Sequence, residues 1–167
     1  MRPSTLNLSI PELRASVEGE VIAPGDPEYD EARRVFYGFN HRPAAVVRVA
    51  NDEDVARVVT TARETGRELA VRSGGHSNAG HGTSDGGLVL DLSRMQALDV
   101  DVDGRTVWAE TGLTAGAYTA AVAEHGLATG LGTRPRSGSA GSPWPEASGS
   151  WSESTASRST TCSRPTS

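Results

Sequence analysis

Apolar residues along this chain fall into short runs separated by polar turns, and the spacing within each run predicts its element. Residues 44–49 form a short apolar run consistent with a buried strand. Asn51 then offers an N-cap, with Asp52 and Glu53 where a helix dipole favours negative charge. Val55, Val58, Val59 and Ala62 follow at helical spacing, and Gly66 supplies the stop. Residues 68–72 read as a second strand. Strand, helix and strand joined by short links predict a βαβ unit with a right-handed crossover.

Residues 88–92 read as a further buried strand. Residues 97–102 and 106–110 read as two strands joined at Asp103-Gly104, a strong hairpin signal. A helix is predicted over 114–125, with Ala117, Ala120, Ala121 and Val122 on or near one face and Gly126 closing it. Upstream, short helices are predicted over 11–17, where Pro11 suits a first turn, and over 28–36. Pro24-Gly25-Asp26-Pro27 marks a turn between them. The predicted fold class is therefore α/β: a βαβ subdomain plus the start of a second mixed α/β subdomain.

Composition narrows this picture. The chain has 167 residues, enough for one ordinary domain, and carries 19 glycines with only 5% aromatic residues. Its net charge of −5 argues against nucleic acid as a partner, since phosphate binding needs a basic face. No apolar run approaches the length needed to cross a bilayer. Residues 1–18 lack the basic start, apolar stretch and small-residue cleavage site of a secretory leader. The one cysteine, Cys162, cannot form an internal disulfide. A cytoplasmic location is the expectation. All 16 basic residues are Arg and none is Lys, which suggests a GC-rich gene.

Candidate chemistry lies in the run Arg72-Ser73-Gly74-Gly75-His76-Ser77-Asn78-Ala79-Gly80. A glycine-rich loop directly after a strand suits a diphosphate, because glycines bring the backbone close and successive N–H groups form an anion nest. Arg72 could add a charge or could equally be a solvated surface residue. The spacing fits neither G-x-G-x-x-G opening a helix nor the P-loop, so phosphate site and plain surface connection both stay open. His76 and His81 make a poor metal pair, since they sit in a glycine loop with no third ligand nearby. No metal site is expected. His41 and His125 read as surface residues, and Asp91 as structural.

The same run, followed by the strand over 88–92, resembles the vanillyl-alcohol-oxidase type (PCMH-type) of FAD-binding domain. Within it, the chain is most similar to the berberine-bridge-enzyme-like group of FAD-linked oxidases. Arg42-Pro43-Ala44-Ala45-Val46-Val47 upstream carries the likeness further, as do Glu110-Thr111-Gly112 and Glu124-His125-Gly126-Leu127-Ala128-Thr129-Gly130 downstream. The resemblance implies that residues 73–80 wrap the FAD pyrophosphate. It implies that His76 is the covalent anchor of the flavin 8α-methyl carbon, a role open to neutral imidazole. It also implies a parent oxidase that takes a hydride from a small-molecule substrate, often an alcohol or sugar, and passes electrons to oxygen. No catalytic residue beyond the anchor can be named.

The expected division is a helical lead-in at 1–37, the N-terminal part of the FAD-binding domain at 38–132, and a tail at 133–167. That tail contains no Val, Ile, Leu, Met, Phe, Tyr or Lys, and holds 11 serines and 5 threonines. Such composition cannot offset its ordering entropy, so disorder is expected. If one base is missing after Gly132, the codons compatible with this tail permit, in the neighbouring frame, a path that renders the family's next glycine-rich segment, which points to a frameshift. On this reading the polypeptide is an incomplete fragment that does not turn over substrate. The competing classes are an inactive remnant and a stand-alone flavin-binding module.

Overall fold

The computed structural model describes residues 7–129 and the pair Thr160–Thr161. The chain forms two compact units, one ending at Met95 and one beginning at Gln96.

In the first unit, helix α1 (Ile10–Ser16) starts at the Ser9 N-cap with Pro11 in its first turn. Strand β1 (Glu20–Ile22) and the single-turn helix α2 (Tyr29–Ala32) follow. Then come β2 (Ala45–Arg48), α3 (Asp52–Thr65), β3 (Leu69–Arg72) and β4 (Leu88–Asp91). Helix α3 has the ends its sequence dictates. The Asn51 side chain accepts from the Asp54 N–H, and Gly66 closes the helix in the left-handed region at φ 63°.

The sheet order is β1-β2-β4-β3. Strand, helix and strand do form the predicted sequence, but β2 and β3 are not neighbours. β4 lies between them and runs parallel to both, while β1 pairs antiparallel on the outer edge of β2. The physical reason is burial: all four β4 residues are buried, so this strand takes the centre. Residues 1–37 are also not purely helical, because β1 adds a strand to the sheet.

Both sheet faces are covered. Ala45, Val47, Leu88 and Leu90 pack with Val58 and Ala62 of α3 and Leu13 of α1. The opposite face sets Val46, Val89 and Ala70 against Ile22, Tyr29 and Ala32. The Tyr29 hydroxyl, buried here, donates to the Pro43 carbonyl at 2.7 Å. Asp54 ties the lead-in to α3: its carboxylate accepts from the N–H groups of Glu18, Gly19 and Ala50 at 2.8, 2.8 and 3.0 Å. Burial by itself raises its pKa, but these backbone donors outweigh burial and hold it below the ordinary value.

The second unit contains β5 (Leu98–Asp101), β6 (Thr106–Ala109), α4 (Ala115–Glu124) and β7 (Thr160–Thr161), with strand order β5-β6-β7. The predicted hairpin forms, with Leu98 opposite Ala109 and Asp101 opposite Thr106. Its left-handed residue is Arg105, at φ 50°, rather than Gly104. The Asp101 carboxylate accepts from the Gly104 N–H at 2.8 Å, which shapes the turn. Val107, Tyr118, Val122 and Leu127 make a small core. Thr160–Thr161 pairs with β6, where no element is predicted. The rest of the tail expectation lies outside the described residues.

Candidate functional site

The three parallel strands end in register, with Arg48, Asp91 and Arg72 side by side across β2, β4 and β3. In open α/β sheets, ligands bind beyond these carboxyl ends. Here the glycine loop leaves β3 directly after Arg72. A cavity of about 400 Å³ opens there, lined by Arg72, Ser73, Gly74, Gly75, His76 and Asp91, with the end of α2 and Phe36 on its other side.

Arg72 is not the solvated surface residue that the sequence leaves possible. It is 7% exposed and makes a salt bridge with the equally buried Asp91 at 2.6 Å. The same Nη2 donates to the Ala32 carbonyl at 2.7 Å, and Nη1 to the Arg34 carbonyl at 3.2 Å. Two charges on adjacent strands can share the interior only because each satisfies the other and the remaining donors find carbonyls. Asp91, which sequence reasoning left without a role, is therefore the counter-ion of Arg72 and also accepts from the Ser93 N–H at 2.9 Å. Their separation by 19 residues hides the pair from local pattern reading.

Helix α2 stops at Ala32 instead of running to Phe36 as predicted: the Arg34 N–H already donates three residues back, to the Glu31 carbonyl at 3.1 Å. A continuing helix would send the Phe36 N–H to the Ala32 carbonyl. Instead Arg72 occupies that carbonyl, and the Phe36 N–H donates to the Gly75 carbonyl at 3.1 Å.

Gly75 lies in the left-handed region at φ 70°, which a residue with a side chain rarely adopts. Among the described residues, the backbone N–H groups of Gly74, Gly75, His76 and Ser77 donate to no protein acceptor. Four successive free donors with glycine at the tight point are the kind of backbone from which an anion nest is built. Further on, Ser77 holds the loop's second turn: its carbonyl accepts from Gly80 at 3.2 Å and its hydroxyl from His81 at 3.2 Å. Asn78 and Ala79 are exposed at the loop's crest and Gly80 is buried at its foot.

His76 is half-buried, its ring tilted 40° against Phe36 with centroids 4.7 Å apart. Burial lowers its pKa below the ordinary 6.5, which favours the neutral imidazole. Neutral imidazole keeps a nucleophilic nitrogen. The other histidines differ. His81 and His125 are exposed, whereas His41 is half-buried with a buried, unpartnered Nδ1. Among the described residues no three His, Cys, Asp or Glu side chains gather where they could hold a metal.

A family model for the FAD binding domain matches residues 43–163. The chain belongs to this family. It is 37% identical over 127 residues to (R)-6-hydroxynicotine oxidase of Paenarthrobacter nicotinovorans, a span covering 75% of this chain and 28% of that protein. It is 36% identical over 77 residues to berberine bridge enzyme-like 18 of Arabidopsis thaliana, covering 45% of this chain and 14% of the relative. Among solved structures, 6-hydroxy-D-nicotine oxidase from Arthrobacter nicotinovorans matches with a TM-score of 0.69 and 38% identity, over 75% of this chain and 28% of that one. The chain thus spans about a quarter of the length of the nicotine oxidase it matches.

The cofactor of this family is FAD, and the loop fits it. A dinucleotide carries a diphosphate, and the loop has adjacent backbone donors without a protein acceptor. The nearest carboxylate, that of Asp91, is neutralised by Arg72. No helix among the described residues is long and apolar enough to cross a membrane.

Proposed function

We propose that this chain holds FAD through residues 73–80 and bonds it covalently through His76, as part of a flavin-dependent oxidase of small molecules. FAD supplies the hydride-accepting and oxygen-reducing chemistry. The protein's residues position and anchor it. N–H groups of the loop cradle the pyrophosphate, and Arg72 acts beneath the loop, keeping Asp91 from repelling the phosphates. His76 would hold the flavin at its 8α-methyl carbon, its ring N–H and one methyl C–H giving way to a C–N bond with oxygen as the two-electron oxidant. The observation that carries this reading is a half-buried imidazole beside four free backbone donors, inside the segment that matches the family.

The substrate class remains small molecules, with oxygen as the acceptor. The relative named for 6-hydroxynicotine widens the range beyond the alcohols and sugars expected from sequence. A cytoplasmic location belongs to the same proposal, resting on residues 7–129 carrying no cysteine that could form a disulfide. So does the reading of residues 133–167 as out of frame, which the gene's nucleotide sequence across Gly132 decides.

The test is expression of the chain with FAD, followed by acid denaturation and flavin fluorescence of the protein band. The wild-type chain should retain fluorescence and His76→Ala should lose it, while Thr60→Ala on the exposed face of α3 keeps it. Equal fluorescence in wild type and His76→Ala would refute the anchor.

A further inference from the structure

We propose that Arg72 and Phe36 are positioning residues for His76: Arg72 clamps the segment after α2 beneath the glycine loop, and Phe36, carried by that segment, seats the imidazole. The inference rests on the reading of His76 as flavin anchor.

The connection is continuous. Asp91 holds one side of the Arg72 guanidinium at 2.6 Å. The guanidinium's other donors take the carbonyls of Ala32 and Arg34, the last residue of α2 and one just past its end. Phe36 follows two residues later. Its N–H bonds the loop at Gly75, and its ring lies against His76.

Core burial and other bonds secure the two ends of this segment: Tyr29 and Ala32 sit in the core, and Arg33 bonds Asn40 and the His41 carbonyl at 2.7 and 3.2 Å. Helix α2 has four residues and no side-chain N-cap bond, and so short a helix has no stability of its own. Phe36 is 62% exposed, so core burial does not fix its ring. The Gly75 position faces the clamp: a Cβ built there would come within 3.6 Å of Arg72 Cδ and 3.8 Å of Val35. Other charged groups around the cavity are already paired. Arg34 bonds Glu31 at 2.6 Å and Arg48 bonds Glu20 at 3.3 Å. Arg72 thus ties the sheet to the lead-in at the point where the glycine loop begins.

The choice of atoms matters. A guanidinium has donors in a fixed fork and can serve a carboxylate and two carbonyls together. An ammonium can keep the carboxylate but cannot reach all three positions at once.

The test is proton NMR of the His76 ring in the full chain without FAD. Phe36→Ala should remove the ring-current shift, moving the His76 ring protons downfield, and should raise the imidazole pKa towards 6.5. Arg72→Lys, which keeps a charge for Asp91, should move the same protons in the same direction while the amide resonances of Val46 and Val89 stay in place. Should Arg72→Lys fail to fold, the double variant Arg72→Gln with Asp91→Asn replaces it, since it removes both buried charges together. Ring protons unmoved in Phe36→Ala, or unmoved in a folded Arg72 variant, would overturn the clamp. Flavin attachment by the wild-type chain is scored separately. Its absence counts against the flavin reading and leaves the NMR result on the clamp standing.

Discussion

Asp54→Ala should be among the most damaging single changes in the first unit, although the residue lies on a helix whose exposed face is polar. Its carboxylate is 1% exposed and serves three backbone donors at once, from Glu18, Gly19 and Ala50. Hydrogen bonds to a charged group contribute about 1.5–3 kcal/mol each. The donors are only partly buried, so water would recover part of the loss. A net cost of about 3–5 kcal/mol follows, a large share of the roughly 5–15 kcal/mol that holds a typical domain together. The assay is urea unfolding read on the amide resonances of β2 and β4, which report this unit. With a slope of about 2 kcal/mol/M, the midpoint should fall by about 2 M. The pH dependence gives a second check. The folded pKa lies below the unfolded value near 3.8, so the stabilisation is complete above the unfolded value. It is lost as pH falls through the lowered folded pKa, and wild type and variant should converge only there. A loss under about 1 kcal/mol at neutral pH would show that the carboxylate does not hold the lead-in, and the reasoning would fail.

Other outcomes follow from the same geometry. Gly87→Ala should cost about 1–3 kcal/mol, because a Cβ would collide with the Glu68 carbonyl and the Ser84 hydroxyl at the start of β4. Faster amide exchange at Leu88, whose N–H bonds that carbonyl at 2.8 Å, would register it. Leu127→Ala should cost about 2–5 kcal/mol in the second unit, where Leu127 is 3% exposed against Val107, Tyr118 and Val122, and amide exchange at Val107 is the readout. Flavin attachment through His76 should hold its rate as pH falls through 6.5, where an ordinary imidazole is half protonated, and should decline only below the lowered pKa. A rate already halved at 6.5 would mean that burial does not protect the ring. By the same sign, burying His76 neutral costs stability as pH drops below the unfolded value.

What could be read along the chain was what local chemistry specifies. Helix α3 was legible to the residue at both ends, because Asn51 and Gly66 act within a few positions of the groups they cap. Helix α4 was legible for the same reason, with Thr114 accepting from the Ala117 N–H. The glycine loop and His76 were legible as a motif. Strand order was not, because nothing within β2, α3 or β3 reveals that β4 will part the two strands. Strand β1 escaped notice because three residues are too few for alternation to show. Helix α2 was overextended because its last turn tightens onto the Glu31 carbonyl and the Phe36 N–H goes to distant Gly75. The part of the site that sequence missed, Asp91 with Arg72, consists entirely of such distant contacts.

Arg72 also shows where residue identity stops being informative. In a chain whose 16 basic residues are all Arg, finding Arg at position 72 carries no preference over Lys. The geometry supplies what the identity cannot. Exposed ion pairs such as Arg34 with Glu31 would serve as well with lysine, since such pairs contribute little and demand no fork. At position 72 the guanidinium is buried and every bond it makes replaces one lost to water. A buried ion pair is weak evidence of stability, since well-packed apolar residues often do as well. Its use here is directional: apolar side chains could fill the space between β3, β4 and α2, but they could not bond the Ala32 and Arg34 carbonyls. The pair at the end of the sheet thus sets how the loop that carries His76 leaves β3, and the test of its value is the position of the imidazole, not the melting temperature.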